Sequence, residues 1–190
     1  DPKAATCAAL RSGTYRILVP DTIGADGSGA TDKIVINAVA LTVTGSDNTS
    51  LTVTPVSGSP CRFNNALGID VVVAQSGVLG IKTDDGYFGI GFPEQTIALS
   101  DLAGDWNILG YDHDNETDPL TASSATATFN ATGGVTVTTA CAEAKTCATL
   151  NQPRTLSVNA SGGFTLTDAG GSGRLFAYRA PNGAMMIAGV

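Results

Sequence analysis

Apolar residues alternate with Thr, Ser or small polar residues over short runs, and the runs end in Gly, Asp, Asn or Pro. A period of two marks half-buried β-strands. The first such run, 14–19 (TYRILV), is predicted to be a strand stopped by Pro20, after an extended lead-in (1–12) pinned by Cys7. Residues 21–32 (DTIGADGSGATD) read as a loop, and 33–44 (KIVINAVALTVT) as one long β-branched strand ending in the turn 45–48. The run 50–56 (SLTVTPV) reads as a strand that Pro55 places at a sheet edge or at its own end. Short strands are predicted at 70–74, 78–83 and 87–92, joined by hairpin turns at Gln75-Ser76-Gly77 and Asp84-Asp85-Gly86, with a further strand at 96–99.

The second half repeats this plan. The stretch Gly104-Asp105-Trp106-Asn107-Ile108-Leu109-Gly110-Tyr111-Asp112 echoes Gly13-Thr14-Tyr15-Arg16-Ile17-Leu18-Val19-Pro20-Asp21. Strands predicted at 125–129 and 135–139 flank Ala131-Thr132-Gly133-Gly134. Those at 156–159 and 164–167 flank Ala160-Ser161-Gly162, matching the hairpin around Ser76-Gly77, and Phe176 falls at the place of Phe88. The apolar end, 183–190, reads as a closing strand. Helical periodicity is confined to a turn at 139–145. The expected fold class is therefore all-β: two tandem antiparallel repeats, 1–99 and 100–190, small barrel- or sandwich-like and packed together, each first strand pairing with its own last.

Composition narrows the function classes. Only 14% of residues are charged, and acids outnumber bases 17 to 10, for a net charge of −7. The scattered Lys and Arg form no basic patch, which argues against a nucleic-acid partner and against a polybasic membrane anchor. No apolar run reaches the length of a membrane-spanning helix.

Cys7, Cys61, Cys141 and Cys147 include no CxxC pair, and with one histidine in the chain they make a poor zinc set. They are expected to form two disulfides. Of the three possible pairings, the short spacing favours Cys141–Cys147 and leaves Cys7 with Cys61; free buried thiols are the alternative. Disulfides imply an oxidising compartment, so a secreted, periplasmic or cell-surface location is expected. Asp1-Pro2-Lys3 is compatible with a processed mature end.

Gly104-Asp105-Trp106, with a weaker copy at Gly13-Thr14-Tyr15, resembles the first-strand signature of the calycins, the lipocalin and avidin class of up-and-down barrels. The resemblance implies an aromatic ring packed across a closed barrel end and an interior that takes a small apolar or amphipathic ligand. It covers three residues, with no second lipocalin motif and no avidin-like ligand-contact pattern. The plainer reading is a ring that plugs a core.

Asp112, Asp114, Asn115, Glu116 and Asp118 make the densest set of oxygen donors and are the candidate Ca²⁺ ligands, although the Gly expected at the sharp turn of such a loop is missing. Against that stands a solvated acidic turn. Asp21, Asp26 and Asp32 form a poorer second set. His113, the only histidine, is flanked by acids and accompanied by no GxSxG turn, so a Ser-His-Asp enzyme is a poor match. The function expected first is non-catalytic: surface adhesion or extracellular assembly, with other protein subunits or a surface polymer as partner. A calycin-like ligand carrier is the alternative, and a carboxylate-based hydrolase the second alternative.

Overall fold

The computed structural model describes residues 7–23, 29–84, 88–112, 121–142 and 146–189. The chain is all-β, with one nearly closed, barrel-like antiparallel sheet and one half-barrel. Its contacts divide it into two compact units: Asp1–Thr96 with Arg174–Val190, and Ile97–Gly173.

The first sheet contains β1 (Gly13–Ile23), β2 (Gly29–Asn37), β3 (Thr42–Thr44), β4 (Ser50–Thr52), β5 (Thr54–Val56), β6 (Ser59–Asn64), β7 (Asp70–Val73), β8 (Leu79–Lys82) and β9 (Phe88–Pro93). Their order is β4-β3-β2-β1-β9-β8-β7-β6-β5. Only Val53 separates β4 from β5, so the two edges of the sheet are halves of the one run 50–56. One half pairs with β3 and the other with β6. Pro55 thus sits on an edge, where its missing N–H costs no ladder bond. The opening strand pairs with the last of its half, Tyr15 opposite Pro93 and Leu18 opposite Ile90. The result is an up-and-down meander that returns on itself.

Several sequence expectations fail locally. β1 runs through Pro20 to Ile23; the register slips between Val19 and Ile23, and such an irregularity accommodates a proline inside a strand. The run 33–44 is two strands, because the Asn37 side chain accepts hydrogen bonds from the N–H groups of Val39 and Ala40 and turns the chain. Asp32 lies in β2, not in a loop. Residues 96–99 form no strand; a single 3-10 turn, Leu99–Leu102, follows Ala98 and buries Leu102.

The second sheet is also a meander: β10 (Gly104–Asp112), β11 (Thr121–Phe129), β12 (Gly134–Ala142), β13 (Thr146–Val158), β14 (Phe164–Asp168), β15 (Gly171–Arg179) and β16 (Met185–Gly189), in that order. Here β10 is an edge strand and does not pair with the last strand. β13 is longer than its sequence suggests and carries Pro153 opposite Thr136. β16 is the expected closing strand, paired with β15. Phe176, Tyr178 and Ala180 pack with Leu18 and Phe92 within the first unit. The Phe92 and Tyr178 rings stack at 6.3 Å, and the Tyr178 hydroxyl donates to the Ser76 carbonyl.

The duplication is visible in the backbone. Gly13 and Gly104, which open the two halves, hold nearly the same left-handed conformation, φ +143° and +139°. Among the described residues one hairpin pattern recurs at 45–49, 65–69, 74–78, 130–134, 159–163 and 180–184. In each, the first N–H reaches the fifth carbonyl and the fourth N–H the first carbonyl, with Gly or Asn at positive φ in fourth place. This is a type I turn closed by a one-residue bulge. The turns at 45 and 74 correspond to those at 130 and 159, each 85 residues on.

Both expected disulfides are present, Cys7–Cys61 and Cys141–Cys147.

Candidate ligand cavity

Strand alternation decides what the first barrel encloses. With Tyr15 and Ile17 facing inward on β1, the register turns Ile34, Ile36 and Asp32 inward on β2. Leu51, Val53, Val71, Val73, Leu79 and Ile81 take the corresponding positions on later strands. Tyr15 (0% exposed), Ile17, Ile36, Val53, Phe63, Val73, Leu79 and Cys7 form one buried cluster. The Tyr15 hydroxyl accepts a hydrogen bond from the Arg11 N–H at 3.3 Å. Cys7–Cys61 ties the lead-in to the same cluster. This is the plug that the Gly-x-aromatic opening suggests, although Tyr15 supplies it rather than Trp106.

Burial then falls along each strand. Ile36, Val53, Val73 and Leu79 are buried, whereas Ile34, Leu51, Val71 and Ile81, two positions further along on the same inner face, are only half-buried. The barrel is therefore filled at one end and hollow at the other. The hollow is a cavity of about 450 Å³, within the range of small-molecule sites. Among the described residues twelve aliphatic side chains line it: Ile17, Val19, Ile34, Ile36, Val43, Leu51, Val53, Leu67, Ile69, Val71, Leu79 and Ile81. Asp32, Asp47, Thr49, Asn65 and Thr83 supply the polar groups. Gly91 faces inward without a side chain, and Ile17 and Leu79 close over it. Leu67, in the 65–69 turn, is 63% exposed and forms part of the rim.

The rim is built from turn chemistry. Asp47 accepts from the Thr49 N–H and hydroxyl at 2.9 and 2.8 Å, and these bonds hold its carboxyl below the usual aspartate range. Asp32 accepts from the Lys33 N–H at 2.6 Å and the Ser46 hydroxyl at 3.3 Å. Asn65 uses its side-chain oxygen to accept from Leu67 and Ile69 N–H groups.

Charge on the outer face is organised separately. Arg16 and Lys33 both reach Glu94, at 2.8 and 3.0 Å. Burial works to lift the Glu94 carboxyl, but the hydrogen bonds and charges of Lys33 and Arg16 outweigh it and keep Glu94 below the ordinary glutamate range. The Arg16 guanidinium also stands 4.7 Å from the centre of the Phe176 ring. Arg62 grips Asp70 through both carboxylate oxygens, which holds Asp70 low and Arg62 high.

The second unit buries Leu102, Ala127, Phe129, Val135, Val137, Leu156 and Phe164. Trp106 is half-buried against Phe129, ring centres 5.6 Å apart, with its indole N–H donated to the Leu102 carbonyl at 2.9 Å. It acts as a packing residue.

Of the residues picked out as calcium ligands, Asp114, Asn115, Glu116 and Asp118 lie outside the described residues, as does His113; Asp112 ends β10 with its side chain outside them. Among the described residues no group of three or more His, Cys, Asp or Glu is placed to hold a metal. Of the poorer set, Asp26 lies outside the described residues, Asp21 is in β1 and Asp32 is at the cavity. The cavity itself is not marked by any motif. Its one sequence trace is a series of inward positions filled by aliphatics of middling size, with glycine at 91.

No helix among the described residues is long and apolar enough to cross a membrane, and the two disulfides are compatible with an extracellular or envelope location. No curated protein and no solved structure matches the chain. One family does match, over residues 51–188, from β4 through β16, and so across most of the sequence. The chain belongs to that family, described as a protein of unknown function (DUF2957).

Proposed function

We propose that the first unit is a binding module for a small apolar or amphipathic molecule held inside its barrel. The observation that carries this reading is the hollow half of the barrel: an aliphatic cavity of about 450 Å³ with a few polar groups at its rim, above a plugged floor. Protein interiors are normally packed to crystal density, so an apolar space of this size is unusual for a purely structural domain. The disulfide that secures the floor is compatible with work outside the reducing cytosol.

Titration with a neutral fluorescent hydrophobe such as N-phenyl-1-naphthylamine tests the proposal. Saturable binding is expected, and Ile34→Trp or Val43→Trp should abolish it by filling the cavity while leaving the β circular dichroism intact. Binding that is absent, or unchanged in both variants, would overturn the proposal.

A second reading, assembly through strand addition, has one specific support. β10 ends the order of the seven-stranded sheet and carries Leu109, 87% exposed, the combination that invites pairing with another strand. Sedimentation of wild type and Leu109→Lys tests it; a monomer in both cases over the accessible concentration range would count against assembly.

A further inference from the structure

The cavity has a polarity of charge as well as of hydrophobicity. Only four cations occur between residues 12 and 93: Arg16, Lys33, Arg62 and Lys82. Each alternates with an inward-facing neighbour (Ile17, Ile34, Phe63, Ile81), so all four occupy the outer face. Three are paired there with Glu94 or Asp70, and Lys82 lies opposite Asp70 in the ladder. Among the described residues the charged groups lining the cavity are two carboxylates, Asp32 and Asp47, and Asp32 accepts from the hydroxyl of Ser46, the neighbour of Asp47. Asp84 packs over Gly68 of the neighbouring 65–69 turn. Among the described residues no aromatic ring lines the cavity, so the described lining is aliphatic with a few polar groups.

An anionic head group entering this barrel meets two carboxylates and, among the described lining residues, no cation. Among the described lining residues a neutral head group exploits Thr49, Asn65 and Thr83. A cationic head finds two carboxylates that keep acceptor capacity beyond their turn hydrogen bonds, while an alkyl chain satisfies the twelve aliphatic side chains. We infer that the occupant of this cavity is an aliphatic amphiphile with a cationic head, of the alkylamine or alkylammonium class, its head at Asp32 and Asp47 and its chain on Ile34, Val43, Leu51 and Ile81. This rests on the ligand-binding reading above and adds the choice of head group.

Three molecules of one chain length separate the two claims: dodecylamine, dodecanol and dodecanoate, each displacing the neutral probe below its micelle concentration at pH 7 and low salt. The amine is expected to bind about tenfold tighter than the alcohol, equivalent to about 1.4 kcal/mol, with the carboxylate weakest. Asp32→Asn combined with Asp47→Asn should shrink the amine's advantage to about threefold or less while the alcohol is unaffected, since Asn preserves the turn acceptors. Added salt should erode the same advantage in the wild type. Equal affinity for all three molecules, or an advantage that survives the double substitution, overturns the head-group inference and leaves the cavity reading standing. Failure of all three, and of the probe, to bind overturns both.

Discussion

β1 and β10 open the two halves with the same Gly-x-aromatic sequence and nearly the same glycine conformation, yet their surroundings differ. β1 is hydrogen-bonded on both sides, to β2 and β9, and buries Tyr15, Arg16, Ile17 and Leu18 in succession. Among the described residues β10 pairs with β11 alone and leaves Ile108 and Leu109 exposed. Sequence similarity thus transmits the local strand and its turns, whereas closure depends on whether a later strand returns to the free edge. In the first half β9 does so. The corresponding late strand β15 instead puts Phe176 and Tyr178 against Leu18 and Phe92 in the first unit.

The contrast predicts unequal costs for equivalent substitutions. Tyr15→Ala removes a fully buried ring and should cost about 3–5 kcal/mol, whereas Trp106→Ala, half-buried, should cost about 2 kcal/mol. Denaturant midpoints of the two variants measure the gap; equal losses would erase the distinction between plug and edge residue. The disulfides sharpen the same point. Cys7–Cys61 spans 54 residues and Cys141–Cys147 spans 6. By loop entropy, serine replacement of the first pair should cost about 4 kcal/mol and of the second about 2 kcal/mol. A larger loss from the short loop would mean that chain entropy is not what separates them.

Within the barrel, floor and mouth should differ on one strand. Leu79→Ala, at a position 1% exposed, is expected to cost about 3 kcal/mol. Ile81→Ala, half-exposed to the hollow, should cost about 1 kcal/mol. Similar values for the two would indicate that the hollow is filled in solution.

A pH-dependent effect belongs to the β1–β9 seam. Glu94 receives Arg16 and Lys33 there, and its N–H donates to the Thr14 carbonyl at 2.8 Å. Its carboxyl is held below the ordinary range, so the folded state binds this proton less readily than the unfolded chain. The stabilisation is complete above the unfolded value of about 4.3 and is lost as pH falls through the lower folded value. Glu94→Gln should cost about 1–2 kcal/mol at pH 7, and its difference from wild type should narrow steadily in thermal melts below pH 4. A difference that stays constant with pH would show that Glu94 acts there without its charge.

Much of the architecture was legible in the chain. Alternating Thr and aliphatics, punctuated by Gly and Asn, specify hairpins through interactions within a few residues, so the strands, the recurring turns, the duplication and both disulfide pairings follow from local pattern and spacing. Local pattern misled where a side chain or a distant strand decided the outcome. Asn37 turned an apolar run that reads as one strand. Ser100 and Asp101 lie in a 3-10 turn that buries Leu102, close to where a strand was expected. The acidic loop stands out in the chain by its density and spacing of oxygen donors, and most of it falls outside the described residues.

By itself, then, the sequence determined which residues face which way, because alternation is a property of each strand's own backbone. It also determined the aspartates and, by alternation, the outward placement of Arg16, Lys33, Arg62 and Lys82. Only the tertiary structure decided that these faces enclose a space. Whether middling aliphatics fill an interior or line a hollow depends on how many strands surround it and how far its plug reaches. In this barrel Tyr15 and Phe63 belong to the buried plug, whereas Ile34, Leu51 and Ile81 are half-buried and line an open cavity.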